Sequence, residues 1–270
     1  MSSLGNAAPI GVFDSGIGGL TVARAIREVL PSESFVYFGD TAHLPYGDKS
    51  KELVASYAQG ISRFLLEHHQ CKALVIACNT ASAAAYETLR DHYRGCVPVI
   101  NVIDPMIEEV IACSDLKKVG VIATKTTVAS GVYQEKFKRR KPDLQVATLA
   151  TPLLASLIEE GFYDNSISEA VIHRYLSDEC LNGIQALILA CTHYPLIRNQ
   201  IDDFFGGKVR IFDSAAVVAA KLKVILSKEN LLSDTSQGGE RFFVSDYTPA
   251  FEAATKTFFG RSIHLERQLL

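Results

Sequence analysis

The chain has 270 residues, 48% of them hydrophobic, and its 27 Lys plus Arg against 30 Asp plus Glu give a net charge of −3. This length fits one large domain or two modest ones, and the composition excludes intrinsic disorder. The slightly acidic balance argues against a nucleic-acid-binding protein, which would carry a basic excess. No apolar run approaches the ~20 residues of a membrane-spanning helix, and residues 1–9 lack the features of a secretory signal. We therefore expect a cytoplasmic protein without nucleic-acid or membrane partners, whose six cysteines are free thiols.

Short apolar runs alternate with stretches of helical spacing along the chain. The predicted strands are Ile10–Phe13, Phe35–Phe38, Leu74–Ala77, Val97–Val102, Val119–Ala123, Leu187–Ala190 and Val209–Phe212. Repeated alternation of strand and helix predicts an α/β fold, in which helices cover a parallel sheet. Such sheets carry their chemistry beyond the carboxyl ends of the strands.

The clearest helix is predicted over Ser50–His69, with Ser50 as its cap and Leu53 as its first core contact. Further helices are predicted over Leu20–Leu30, Ala81–Leu89 and Ala215–Leu226, and the basic run Lys136–Lys141 indicates the solvated end of another. After a polar loop over residues 227–240, the tail shows one more strand–helix–strand pattern.

Two segments of the chain are similar to each other. Ala73–Ala81 has the sequence ALVIACNTA and Ala186–Tyr194 has ALILACTHY, so two buried strands each end in Ala-Cys and a polar residue. A weaker pair, Gly11–Asp14 and Gly120–Ala123, is separated by a similar offset. The repeat indicates two related α/β halves, each with one cysteine at a strand tip.

We therefore predict two pseudo-symmetric, doubly wound parallel-sheet domains with the active site in the cleft between them. The first domain is placed at residues 1–100 plus 212–270 and the second at residues 101–211. Crossovers between them are expected at Gly95–Pro105 and Gly206–Ser214, and the tail after Ser214 returns to the first domain.

Cys78 and Cys191 occupy the two strand tips, and each precedes polar residues and a helix. The free N–H groups and partial positive charge of a helix N-terminus favour a thiolate and hold carboxylates. Two such thiols suggest two acid/base groups that face each other across a cleft. A zinc site on Cys191 and His193 is disfavoured, because the chain offers no CxxC or His-rich companion. The remaining cysteines are expected to be small apolar residues; they are Cys71, Cys96, Cys113 and Cys180.

The first strand ends in an acid and a glycine-rich turn, DSGIGG at Asp14–Gly19. The turn fails as a dinucleotide-binding motif because Thr21 stands where GxGxxG needs glycine, although Asp40 after the second strand fits that motif. Asp14 is instead a candidate to orient a nearby thiol or accept its proton, with helix capping as the alternative role.

The loop after the second strand lies on the same rim of the predicted sheet. Its residues Tyr46 and Gly47 are candidates to close over a small ligand, and a surface turn is the alternative. His193, two residues after Cys191, is a candidate proton partner for that thiol.

Taken together, these motifs resemble the cofactor-independent aspartate/glutamate racemase family. The matching segments are VFDSGIGG at Val12–Gly19, PYG at Pro45–Gly47, ACNTAS at Ala77–Ser82 and ACTHYP at Ala190–Pro195. They cover both halves in the family's order and with its two-cysteine spacing. The residues His193-Tyr194-Pro195 fit the glutamate branch of the family.

The resemblance implies reversible interconversion of L- and D-glutamate without pyridoxal phosphate, metal or other cofactor. By position, Cys78 assisted by Asp14 would deprotonate D-glutamate, and Cys191 assisted by His193 would deprotonate L-glutamate. Glu159 lies where the family carries another acid near the second cysteine.

The resemblance also implies which residues bind the substrate. They are Asp14, Ser15, Tyr46, Gly47, Asn79, Thr80, Thr192 and His193, with Thr124 and Thr127 as weaker candidates. The stretch before Glu159 departs from the family, because Thr151 and Ser156 replace a common cysteine and a common proline.

Membership of this family would further imply a bacterial source, a role in supplying D-glutamate for peptidoglycan, a homodimer, and in some members an activating cell-wall precursor. Two alternatives stay open at this point. One is an aspartate racemase of the same family, and the other is a non-catalytic α/β module that binds a small ligand at its glycine-rich turn.

Overall fold

In the computed structural model, which describes residues 5–234, 236 and 238–270, the strands form two separate all-parallel sheets. Two of the sequence predictions fall partly outside the described residues. They are the absence of a secretory signal, which includes residues 1–4, and the polar loop, which includes residues 235 and 237. The two-sheet α/β architecture predicted from the sequence is confirmed.

The first sheet has the strand order β10-β9-β2-β1-β3-β4. Its strands are β1 (Ile10–Asp14), β2 (Phe35–Gly39), β3 (Ala73–Ile76), β4 (Val99–Asn101), β9 (Glu240–Val244) and β10 (Glu266–Arg267). The second sheet has the order β6-β5-β7-β8 and consists of β5 (Lys118–Ala123), β6 (Gln145–Ala150), β7 (Ala186–Ala190) and β8 (Arg210–Asp213).

Helices connect these strands. They are α1 (Leu20–Val29), α2 (Lys51–Arg63), α3 (Asn79–His92), α4 (Ile103–Ala112), α5 (Lys125–Ala129), α6 (Val132–Arg140), α7 (Pro152–Glu159), α8 (Ser166–Leu176), α9 (Arg198–Phe205), α10 (Ser214–Lys228) and α11 (Pro249–Phe259). None of the described helices has both the length and the apolar character that a membrane crossing requires.

The pseudo-symmetry of the two halves is visible in strand order and register. The order β2-β1-β3-β4 in the first sheet repeats as β6-β5-β7-β8 in the second. Ile76, two residues before the first strand-tip cysteine, pairs with Asn101. Leu189, two residues before the second, pairs with Asp213 in the same way. The two cysteines therefore occupy equivalent places at the carboxyl edges of their sheets.

The first sheet is buried on both faces, because successive strand residues point to opposite sides. Val12, Tyr37 and Val75 pack into the larger core together with α1, α10 and α11. Phe38 and Leu74 belong to a second core that α2 and α3 cover. This double cover holds the strand tips, and the side chains on them, in fixed positions.

The helix predicted from residue 50 is present, but one detail was wrong. Ser50 caps α2 by accepting a hydrogen bond from the N–H of Leu53, 3.3 Å away. Leu53 itself is 41% exposed rather than the first core contact, because the buried stripe of α2 begins at Val54. Beyond α2 the chain continues in a π-helical turn, Phe64–His68.

The chain passes between the sheets twice. It leaves β4 through α4 to reach β5, and it leaves β8 through α10 to return to β9, and these two crossover helices pack against each other. The tail then adds β9 beside β2 in the first sheet. The domain division at 211/212 stays a prediction, and β8 runs across that position while pairing with β7 along its length.

Candidate active site

A pocket opens where the carboxyl edges of the two sheets face each other, and both halves contribute to it. Its lining residues are Ser15, Leu44, Pro45, Tyr46, Gly47, Asp48, Cys78, Asn79, Thr80, Thr124, Lys125, Pro152, Ala155, Ser156, Glu159, Ala190, Cys191, Thr192 and His193. The pocket thus brings together the two strand-tip thiols, which are 113 residues apart in sequence.

Cys78 caps helix α3 at the end of the β3 strand. Its sulfur accepts a hydrogen bond from the N–H of Ala81 at 3.4 Å and lies 3.7 Å from the hydroxyl of Ser15. Burial and the nearby charge of Asp14 outweigh these two contacts and raise the pKa of the Cys78 thiol to about 12. In the free protein, Cys78 is therefore a thiol that can give up a proton rather than a resident thiolate.

Asp14 ends β1 and is fully buried behind the pocket lining. Its Oδ2 accepts the N–H of Gly16 at 3.0 Å, while its Oδ1 has no hydrogen-bond partner among the described residues. Burial raises the pKa of Asp14, although the charge of His193 and the backbone N–H groups of the glycine-rich turn oppose this rise. A Cβ on Gly19 would lie 2.5 Å from the Asp14 Cβ, so glycine is required for the turn to pass over this acid.

Cys191 follows β7 and is the first member of a chain of three side chains, in which Cys191 and His193 are buried and Glu159 is half-buried. His193 Nδ1 lies 3.5 Å from the Cys191 sulfur, and His193 Nε2 lies 2.8 Å from Glu159 Oε1. Burial lowers the pKa of His193, but its hydrogen bonds to Cys191 and Glu159 raise the pKa by more than burial lowers it. The pKa of His193 therefore lies well above its usual range. His193 is therefore a cationic donor that touches the Cys191 sulfur.

The glycine-rich turn of the first half packs directly on this chain. A Cβ on Gly18 would lie 2.4 Å from His193 Cε1 and 2.5 Å from Thr192 Oγ1. The hydroxyl of Thr21 donates to the Thr192 carbonyl at 3.2 Å. The glycines of this turn therefore leave room for the side chains of Asp14 and His193.

Three hydroxyls meet between the halves on the other side of the pocket. Thr80 Oγ1, on α3, lies 3.0 Å from Thr124 Oγ1 and 3.3 Å from Thr127 Oγ1 on the second half. Asn79 Oδ1 accepts a hydrogen bond from the hydroxyl of Tyr133 at 2.8 Å. The buried Nδ2 of the same amide has no partner among the described residues. Amide and hydroxyl donors at a helix N-terminus suit the carboxylate of an amino acid.

Tyr46 and Gly47 both line the pocket, at the rim that the first half provides. The hydroxyl of Tyr46 donates to Asp40 Oδ2 at 2.5 Å, so it is engaged behind the rim of the pocket. Gly47 is held close to the second half, since a Cβ there would lie 2.8 Å from the Thr124 Cβ.

All the site residues predicted from the sequence line the pocket except Asp14 and Thr127, which contact or lie directly behind residues that do. The expectation for the other cysteines holds only in part. Cys71 is buried, whereas Cys96 is exposed and Cys113 and Cys180 are half-buried, because the last three lie in or beside loops. Within the described residues, no cluster of three His, Cys, Asp or Glu side chains has the arrangement of a metal site.

Sequence reasoning missed a set of contacts across the mouth of the pocket. Lys125 Nζ lies 3.2 Å from Asp48 Oδ1, and the single hydroxyl proton of Thr126 is shared between the carbonyl oxygens of Gly47 and Lys49, which lie 2.8 and 3.0 Å from its Oγ1. We call these contacts the clasp. The position of Lys125 between the predicted site residues Thr124 and Thr127 was a signal in the sequence. Its partner Asp48 lies on the other half of the chain, so the contact could not be predicted.

Comparisons with known proteins agree with this geometry. A model of the Asp/Glu/hydantoin racemase family matches residues 19–222. Glutamate racemase of Neisseria meningitidis serogroup A is 42% identical over 264 residues, which cover 97% of each chain.

Among solved structures, glutamate racemase from Francisella tularensis in complex with D-glutamate superposes with a TM-score of 0.91 at 37% identity, covering 97% of this chain and 98% of that one. Escherichia coli glutamate racemase in complex with L-glutamate and the activator UDP-MurNAc-ala superposes with a TM-score of 0.75 at 25% identity, covering 93% and 95%.

Proposed function

Because the chain belongs to the Asp/Glu/hydantoin racemase family, we propose that it interconverts L- and D-glutamate with two cysteines as the acid/base pair. One observation carries the proposal: two thiols from equivalent strand tips line a single pocket. Racemisation needs a base on one face of the α-carbon and an acid on the other. Two pseudo-symmetric strand tips that face each other supply both.

In the direction from L- to D-glutamate, Cys191 removes the α-proton and Cys78 supplies one to the opposite face. The raised pKa of Cys78 suits the donor, because this thiol holds its proton in the free protein. His193, bonded to both Cys191 and Glu159, stabilises the sulfur from which the base acts. In the reverse direction the cysteines exchange roles, and Asp14 assists Cys78.

The α-proton of an amino acid is a very weak acid, so its removal requires donors aimed at the charge that develops on the carboxylate. We assign this task to Asn79 Nδ2 and the hydroxyls of Thr80 and Thr124, which lie at the N-termini of α3 and α5. Ser15 and Thr192, on opposite sides of the pocket, are assigned to the remaining polar groups of glutamate.

The wider setting is also proposed from the relatives. The E. coli complex makes UDP-MurNAc-ala the candidate activator of this chain. A homodimer, a cytoplasmic location and the supply of D-glutamate for peptidoglycan follow from the family to which the chain belongs.

Deuterium exchange tests the reaction directly. We expect purified, reduced protein in D2O to convert L-glutamate into a racemic mixture deuterated at the α-carbon, as followed by NMR and by optical rotation. The assay is run with and without UDP-MurNAc-ala and contains no added cofactor. Aspartate is tested in parallel and should exchange far more slowly. An unchanged glutamate spectrum in both conditions would refute the proposed function.

Serine variants test the two thiols separately. Cys78→Ser and Cys191→Ser should each lower the rate by about 10²- to 10⁴-fold, the usual contribution of a positioned acid or base. Cys71→Ser is the matched control, since Cys71 is a buried thiol that does not line the pocket. If either strand-tip variant kept the rate of this control, the two-base assignment would be wrong.

A further inference from the structure

The rim of the pocket on the side of the first half is a short segment, residues 41–48, between β2 and α2. We call it the rim segment. Its residues from Leu44 to Asp48 line the pocket, and Tyr46 is buried there. The segment contains only two single turns of 3-10 helix, so its own backbone hydrogen bonds fix its shape poorly.

Asp40, immediately before the rim segment, joins three side chains. It is buried and does not line the pocket. Its Oδ2 accepts the hydroxyl of Tyr46 at 2.5 Å, and its Oδ1 accepts the hydroxyl of Ser245 at 2.7 Å and lies 2.8 Å from His43 Nδ1. The backbone N–H of Asp40 donates to the Asp14 carbonyl at 3.0 Å. This bond fixes Asp40 to the tip of β1.

The tail of the chain supplies a second anchor for the rim segment. Ser245, just beyond β9, accepts the N–H of Ala42 on its hydroxyl oxygen at 2.9 Å while donating to Asp40. The hydroxyl of Thr41 donates to the Asp246 carbonyl at 2.5 Å and accepts the Asp246 N–H at 2.9 Å. The start of the rim segment is thus bound to Ser245 and Asp246, which lie more than 200 positions later in the chain.

We propose that Asp40 and Ser245 are positioning residues, which hold the rim segment in the shape that binds the substrate. The inference depends on the proposed function, since the substrate is glutamate. Neither side chain lines the pocket, so both act through Tyr46 and its neighbours. The C-terminal segment, which has no counterpart in the second half, thereby becomes part of the binding site of the first.

The Tyr46 hydroxyl keeps its proton at any working pH, because burial and the adjacent Asp40 raise the pKa of the phenol far above its usual range. Tyr46 is therefore the donor in its hydrogen bond with Asp40. A proton-carrying role would instead require Asp40 to exchange protons with the pocket, and Tyr46 stands between them.

A positioning role has a distinct kinetic signature. The rim segment carries neither cysteine nor their proton partners, so it contributes equally to binding the ground state and the transition state. Loss of such uniform binding raises KM and leaves kcat nearly unchanged. A residue that carried a proton would instead lower kcat and change its pH profile.

The test compares Asp40→Asn, Tyr46→Phe and Ser245→Ala with wild-type protein in both directions of the reaction. Each should raise KM about tenfold, the effect of losing one hydrogen bond to a charged group, with kcat within about threefold and an unchanged pH profile of kcat. The KM of the double variant Asp40→Asn/Tyr46→Phe should be no higher than that of the poorer single variant, because both substitutions disrupt the same hydrogen bond between Tyr46 and Asp40. Ser245→Thr, which keeps the hydroxyl, should restore KM.

Ser62→Ala is the matched control, since Ser62 is a buried serine whose hydroxyl bonds the Ala58 carbonyl far from the pocket. The inference is overturned if the variants match this control, or if kcat falls while KM is unchanged. Should Asp40→Asn fail to fold, Tyr46→Phe alone decides, because it removes only one oxygen. Absence of activity in the wild-type protein would refute the proposed function instead, so the two failures are distinguishable.

Discussion

The two thiols occupy equivalent strand tips, but their ionisable partners come from different positions. By register, Asp14 at the end of β1 corresponds to Ala123 at the end of β5. Two residues after the cysteine, the first half carries Thr80 and the second carries His193. Cys78 therefore has an acid, Asp14, as its ionisable neighbour, whereas Cys191 has a base, His193. The symmetry of the backbone thus supports an asymmetric pair of proton carriers.

The raised pKa of His193 predicts a pH-dependent stability. A histidine that binds its proton more tightly when folded stabilises the protein fully below its unfolded pKa of about 6.5, and this contribution is lost as pH rises through the folded pKa. Between about pH 6.5 and about pH 8, the free energy of unfolding should fall by up to about 1.4 kcal/mol per pH unit. Urea denaturation across this range measures the slope.

His193→Asn provides the comparison, because it cannot titrate. Its free energy of unfolding should change less with pH over the same range. Cys78 titrates with a raised pKa of about 12 and adds a decline of its own only at higher pH, which is why the range ends near pH 8. Equal slopes in the two proteins would show that His193 is not held as a cation.

Most of the predicted residues that line the pocket stand in four short motifs, two of which contain the cysteines. Asp40, Ser245 and Lys125 could not be assigned their parts in the same way. Asp40 and Ser245 are 205 residues apart, and the partner of Lys125 lies on the other half. Their roles depend on contacts that only the folded chain creates.

Among the elements, the strands that the sequence predicted carry a short apolar run, and they include the edge strands β4 and β8. The strand β6 was missed because the polar residues Gln145 and Thr148 interrupt its apolar ones, which are half-buried at the edge of the second sheet. Without a continuous apolar run, a strand gives only a weak signal in the sequence. The short helices α5 and α7 were likewise not resolved from their neighbours, since few residues of each face the core.

A buried ion pair joins several elements at the amino ends of the first sheet's strands. Lys72 Nζ, fully buried before β3, lies 2.5 Å from Glu33 Oε2 and donates to the Asn6 carbonyl. The other oxygen of Glu33 accepts the N–H of Ser233 in the tail at 2.7 Å. The pair thus fastens the start and the tail of the chain to β2 and β3.

Lys72→Met should lower the free energy of unfolding by about 3–5 kcal/mol, because it leaves the Glu33 carboxylate buried without a counter-charge. Chemical denaturation measures the loss. The double variant Lys72→Met/Glu33→Gln should regain most of it, since no charge is then left buried. Racemisation by folded protein should be unchanged, because the pair lies at the opposite end of the strands from the pocket. A single variant as stable as wild type would show that the pair contributes little.

At the scale of the whole molecule, the returning tail contributes to both sides of the site. It brings Ser245 to Asp40, and it brings Phe258 of α11 edge-on to His193, with ring centroids 5.3 Å apart. The sequence predicted that the tail returns to the first domain, but a contact with the motif of the second half cannot be deduced from local patterns.

We expect the clasp to limit access to the thiols. Cys78 and Cys191 are 6% and 8% exposed, and the contacts of Lys125 and Thr126 with the rim segment span the mouth of their pocket. We therefore expect glutamate to enter when the clasp is open. An exposed ion pair stabilises little, so the shared hydrogen bond of Thr126 should contribute most of the closing free energy.

Thr126→Val keeps the shape of the side chain and removes the hydroxyl that is shared between the two carbonyls. Losing about 1 kcal/mol of closing free energy raises the open population about fivefold, and alkylation of Cys78 and Cys191 by iodoacetamide should accelerate by that factor. Peptide mass spectrometry follows each thiol, with buried Cys71 as the internal reference. Thr148→Val is the matched control, because it removes a hydroxyl bonded to Gln134 away from the pocket. Unchanged alkylation of both strand-tip thiols in Thr126→Val would mean that the clasp does not limit access.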